Sequence, residues 1–192
     1  MSDSVAGAIC GSQEFINSLY DVNSGAAMLL GPVLDSHRSA SILKNMKTLH
    51  IRMQQHAKNA LYLSSQLQSE GYTIIYPGLE NHPQNALVKE IGYAKYGAGG
   101  LFVVNLKTKE TANRFMELMQ DANIGYLAVS LGSYKTLFSA PGCSTSSEIP
   151  EEERIQMGLT DGLVRISIGL DDDIERTYLK MSECLKEIYS KA

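Results

Sequence analysis

The sequence predicts an α/β fold, and three observations carry that prediction. Apolar residues recur at helical spacing from Ile42 to Leu67, short apolar runs then alternate with helical segments, and an amphipathic helix headed by three aspartates closes the chain. Strand, long helix, then a small sheet with helices is the order expected when the tail of one lobe is joined by a helix to a compact α+β lobe. The boundary is placed near Gly71, which divides the chain into 1–70 and 71–192.

In chain order, Val5 to Cys10 is a short apolar run ended by Gly11 and Ser12, expected to be a buried strand. A chain that opens so abruptly in a core strand is expected to be a piece of something longer. Pro32 stands where a first helical turn tolerates proline, and Ile42, Met46, Leu49, Met53, Ala57, Ala60 and Leu67 follow at helical spacing up to Gly71. If continuous, this helix runs for about 30 residues and on the order of 50 Å. Strands are expected at 72–76, 86–91, 101–106, 127–130 and 163–168, with a helix over 111–120. The stretch 138–153, rich in Ser, Pro and Gly, reads as a loop. Ile174, Tyr178, Met181, Leu185 and Ile188 form the apolar face of the last helix. Asp171, Asp172 and Asp173 precede it, where carboxylates cap free amides and favour the helix dipole.

Composition narrows the function. The 192 residues are 44% hydrophobic with a formal charge of -4, enough for a sizeable core and too acidic to gather phosphates, so nucleic acid is excluded as a partner. No apolar run reaches the roughly 20 residues of a membrane span, and the N-terminus lacks the basic flank of a secretory signal. Cys10, Cys143 and Cys184 are odd in number and widely spaced, which suits reduced thiols in a cytoplasmic protein. His50 and His56 point to different helix faces, and His37 and His82 are isolated, so no metal site is predicted. Gly97 to Gly100 precedes a strand rather than following one and reads as a tight turn. Neither a GxSxG elbow nor a cysteine–histidine pair is evident.

Arg165 stands out. On the strand 163–168, Val164, Ile166 and Ile168 share one face while Leu163, Arg165 and Ser167 share the other. A guanidinium set among apolar residues needs a partner. Local pattern leaves two readings in balance: an ion pair with one of the chain's own carboxylates, or a grip on a ligand carboxylate, whose two oxygens match the planar fork of arginine.

Read in order, SDxVAGA with GSQ, KTLHIRMQQHAKNA, YPGL, GGLFVVNL, AVSLG, PEEER and GLTDGLVRISIGLDD resemble the C-terminal half of the cysteine/methionine-metabolism family of pyridoxal-phosphate (PLP) enzymes. The resemblance runs nearly end to end. It implies the tail of the large PLP-binding domain of a fold-type I enzyme over 1–70, a long connecting helix, and a small C-terminal domain. It also implies a carbon–sulfur lyase acting on sulfur amino acids. In that family the arginine of GLVR holds the substrate α-carboxylate, which carries over to Arg165. The serine and leucine of the SLG turn add a hydroxyl and a backbone N–H, here Ser130 and Leu131. The family's Schiff-base lysine, phosphate cup, ring-pairing aspartate and stacked tyrosine lie upstream of Met1, so PLP is implied by the family while no lysine here is assigned to it. Met1 stands where the family has a histidine, and Ser144 and Ser146 stand where it has methionine and histidine. Full-length relatives assemble as tetramers of dimers, which is not expected of this piece. The alternative to a lyase fragment is an inactive truncated paralogue or an amino-acid-binding module.

Overall fold

A computed structural model describes residues 4–143 and 149–190. By contacts the chain divides into two compact units, Met1–Leu49 and His50–Ala192.

The first unit holds three short helices. α1 (Gln13–Ser18) starts at Ser12, whose hydroxyl accepts from the Phe15 N–H at 3.2 Å. α2 (Ala26–Leu30) ends at Gly31, and α3 (Ser36–Met46) is capped by Asp35, which accepts from the Arg38 N–H at 2.9 Å. None of the three helices buries a residue. Here two expectations are corrected. Val5 to Cys10 forms no strand: Val5 and Ile9 are 83% and 65% exposed, and no neighbouring strand takes up their backbone. Pro32 precedes α3 by several residues instead of opening it.

The expected single long helix is two. α3 stops at Met46 and α4 (Leu49–Ser69) begins after a turn in which the Lys47 and Thr48 N–H groups donate back three residues rather than four. The Thr48 hydroxyl also donates to the Asn45 carbonyl, the local competition by which threonine diverts helical backbone. α4 buries Ala57, Ala60, Leu63 and Leu67, so it belongs to the second unit, as half of its core wall.

That second unit is built on a five-stranded sheet of order β1-β2-β5-β4-β3, with strands β1 (Thr73–Ile75), β2 (Leu101–Asn105), β3 (Tyr126–Leu127), β4 (Leu137–Ser139) and β5 (Leu163–Ser167). All neighbours are antiparallel except β3 and β4. Phe102, Ile166 and Phe138 are in register across the sheet, as are Val104 and Val164. They share one buried cluster with α4, α6 (Lys109–Asp121) and α8 (Ile174–Ser190) through Leu63, Phe115, Met119, Met181 and Leu185. The alternation read in 163–168 therefore holds, with its apolar face turned to the helices.

Other elements differ from expectation. Ala86 to Ile91 is helix α5 (Asn85–Ile91), not a strand: Leu87 and Ile91 are exposed, and Ala, Leu, Lys and Glu favour helix where no strand edge is offered. The stretch expected to be loop contributes β4 at its start and α7 (Glu151–Gln156) at its end. The strand expected over 127–130 is β3, over 126–127, and its last bond to β4 is the Ala128 N–H donating to the Phe138 carbonyl at 3.0 Å. The Gly97–Gly100 stretch is the expected turn into β2. Of the aspartates before α8, Asp173 caps it, accepting from the Arg176 N–H at 3.2 Å, while Asp171 accepts from the Asp173 N–H at 3.0 Å in the turn that leads into the helix.

Candidate functional site

Arg165 lies at the middle of the central strand, on the face turned away from the helices. Its cross-strand neighbours there are Val103 on β2 and Ser139 on β4. Three tethers hold β5 and the segment after it. The buried His56 on α4 donates from Nδ1 to the Ile168 carbonyl at 2.7 Å, and Asn59 Nδ2 donates to the carbonyls of Gly169 and Asp171 at 3.1 and 2.9 Å. Burial holds the His56 imidazole below its ordinary pKa, an effect the hydrogen bond to Ile168 only partly offsets, so the ring is neutral and its proton sits on Nδ1. The third is close backbone contact: the Leu170 N–H donates to the Tyr134 carbonyl at 2.9 Å, and a Cβ on Gly169 would stand 2.6 Å from that same oxygen.

The guanidinium then organises the loop that crosses above it. Arg165 Nη2 donates to the Val129 carbonyl at 2.7 Å, and the Gly132 N–H donates to Ser167 Oγ at 3.1 Å. Two residues of β5 on the same face thus pin positions 129 and 132, and Ser130 and Leu131 are suspended between the pins. Both are exposed, and among the described residues neither the Ser130 hydroxyl nor the Leu131 N–H has a hydrogen-bond partner. Gly132 closes the loop at φ 68°, in the left-handed region.

Two polar atoms at this place are buried without a partner: Arg165 Nε and Ser139 Oγ. They belong to residues directly opposite each other on one face of the β4–β5 pair. A buried donor left unsatisfied costs roughly 1–3 kcal/mol, and native structures carry few of them. None of the ion pairs among the described residues involves Arg165. The internal ion pair that the sequence left open is therefore not formed, and the guanidinium keeps capacity for a planar anion. Ser139 was not predicted from the sequence. Ser144 and Ser146, where the family pattern departs, lie outside the described residues, as does Met1.

An α/β unit whose sheet face away from the helices carries a guanidinium without an ion-pair partner, next to an unbonded serine hydroxyl, has donors of the kind a carboxylate takes. The sequence profile of the Cys/Met metabolism PLP-dependent enzymes matches residues 1–177, and the chain belongs to that family. It is 37% identical over 183 residues to a methionine gamma-lyase of Arabidopsis thaliana, spanning 95% of this chain and 42% of that protein. A cystathionine gamma-lyase of Bacillus subtilis (strain 168) is 33% identical over 89% of this chain and 43% of its own length. Among solved structures, cystathionine gamma-lyase from yeast superposes with a TM-score of 0.77 at 28% identity, covering 84% of this chain and 41% of that one. The chain spans less than half the length of the relatives it matches.

The family implies pyridoxal phosphate. The groups brought together here are hydrogen-bond donors and do not form a cradle for the cofactor itself, since no amine stands among them. Among the described residues no three His, Cys, Asp or Glu side chains gather as a metal site, and no helix is long and apolar enough to cross a membrane.

Proposed function

We propose that this chain supplies the substrate-carboxylate grip of a PLP-dependent carbon–sulfur enzyme acting on a sulfur amino acid such as methionine, homocysteine, cystathionine or cysteine. The observation that carries the reading is the pair of buried, unpartnered atoms Arg165 Nε and Ser139 Oγ, on residues directly opposite each other in β4 and β5. Arg165 donates from Nε to one carboxylate oxygen, and the Ser139 hydroxyl donates to the same group. The Ser130 hydroxyl and the Leu131 N–H reach the carboxylate from the loop above, which Arg165 itself holds in place through Val129. When bound, pyridoxal phosphate supplies the electron sink for bonds breaking at the amino acid. The contribution of this chain's residues is orientation: a carboxylate fixed at two oxygens leaves the amino acid one pose, and such alignment accounts for several kcal/mol of a reaction barrier. The reading places the chain in a reducing, cytoplasmic setting, which suits the buried free thiol of Cys184.

The test is a titration of the chain with methionine, followed at the Leu131 and Gly132 amide resonances by NMR, with methioninol as the partner lacking a carboxylate. A saturable shift with methionine alone, lost in Arg165→Ala, is expected. An equal shift with methioninol, or methionine binding unchanged in Arg165→Ala, overturns the reading.

A further inference from the structure

A cavity of about 550 Å³ opens between α4 and α5 within the second unit and shares no lining residue with the Arg165 loop. Its volume lies in the range of small-molecule sites, roughly 300–1,000 Å³. The floor is apolar, made by Ala57 and Leu61 of α4, Val88 of α5 and Ala98 of the turn before β2. Tyr76 forms one wall, fixed by its hydroxyl donating to the Gly99 carbonyl at 2.8 Å. The ring of Tyr93 stands at the edge, beside that of Tyr96 with centroids 5.2 Å apart.

Charge is what sets this cavity apart. Lys58, Lys89 and Lys95 all line it, all are exposed, and no aspartate or glutamate lines it with them. Among the described residues none of the three has an ion-pair partner. In a chain with a formal charge of -4, three unneutralised ammonium groups around one apolar hollow form a local positive field against the overall sign. An apolar floor with a cationic rim is complementary to an anion that carries an apolar body, the body displacing water from the floor and the anionic head meeting the lysines.

The geometry points to a binding site for a medium-chain carboxylate in this cavity, separate from the amino-acid grip. The probe is decanoate, below the concentration at which it forms micelles, titrated into the full chain while the amide resonances of Val88 and Ala98 are followed by NMR. Following these residues separates the site from decanoate adsorbed on exposed apolar side chains elsewhere. Saturable shifts are expected with decanoate and none with acetate, which has the charge without the body. Decanol, and the triple variant Lys58→Ala/Lys89→Ala/Lys95→Ala with decanoate, should each bind about tenfold more weakly, the sum of three exposed charge contacts. Leu61→Glu, a helix-compatible change at a half-exposed position, should abolish the shifts. No saturable shift with decanoate, decanol equal to decanoate, or full affinity in either variant overturns the proposal.

Discussion

Arg165 was legible because a strand alternates, and one charged residue against five apolar or small ones is conspicuous in such a pattern. Ser139 was not, because its strand is three residues long, all buried, and so shows no alternation at all. The two make different predictions. Arg165→Lys keeps the charge but loses the fork and the Nε donor, so methionine binding should weaken at least tenfold by the NMR titration, with thermal stability little changed. Ser139→Ala removes a buried hydroxyl that has no partner. It should raise the unfolding free energy by about 1 kcal/mol in urea titration while weakening methionine binding, a trade of stability against function. A loss of stability there would mean that the hydroxyl is already satisfied. His56 gives a pH dependence. Its folded pKa lies below the ordinary 6.5, chiefly from burial, so the unfolded chain binds the proton more readily. Stability from this residue is full above pH 6.5 and falls as pH drops below it towards the lower folded pKa. The urea midpoint of the wild type should therefore decline from pH 7 to pH 5.5 more steeply than that of His56→Gln.

At the scale of elements, the loop 129–132 shows why sequence reading stopped short of the site's geometry. Its pins are the backbone carbonyl of Val129 and the backbone N–H of Gly132, atoms every residue possesses, and only their positions over Arg165 and Ser167 distinguish them. Gly132→Ala forces a side chain into the left-handed region, at a cost of about 1 kcal/mol, although open space surrounds the position. Binding should suffer beyond that cost, because the strain is relieved by moving Leu131. The expected result is weaker methionine binding with the Arg165 Nε–H resonance still present. The misread elements share a cause: a short apolar run such as 86–91 fits helix and strand alike, and the break before α4 is made by backbone bonds of Lys47 and Thr48 that apolar spacing does not reveal. The junction of α4 with α8 carries a second titration. Glu70, just past α4, accepts from Tyr178 and Ser182 and pairs with Lys186 at 3.6 Å. Its partial burial raises the carboxyl pKa, but the Tyr178 and Ser182 hydrogen bonds and the Lys186 charge outweigh that and bring it below 4.5. This contribution is present above pH 4.5 and is lost as pH falls through the lowered value. The acid limb of the stability curve should be shallower in Glu70→Gln.

For the whole molecule, the two units differ in what holds them. The second has one contiguous core, from Ala60 and Leu67 through Phe102, Val104 and Ile166 to Leu185 and Ile188. In the first, Gly25 is the one described residue that is buried, while Met28, Leu30, Val33, Leu43 and Met46 are each more than half exposed. Caps at Ser12 and Asp35 and the turn at Asp21 shape its helices, but such contacts contribute about 1 kcal/mol each, and isolated helices shorter than roughly 12 residues are marginal in water. A chain of residues 50–192 should therefore melt cooperatively at nearly the temperature of the full chain. Residues 1–49 alone should show little helix by circular dichroism. Removing them should also lower concentration-dependent association in light scattering, because exposed apolar side chains go with them. A 50–192 chain without a cooperative transition would show that the sheet and its three helices are not a sufficient core.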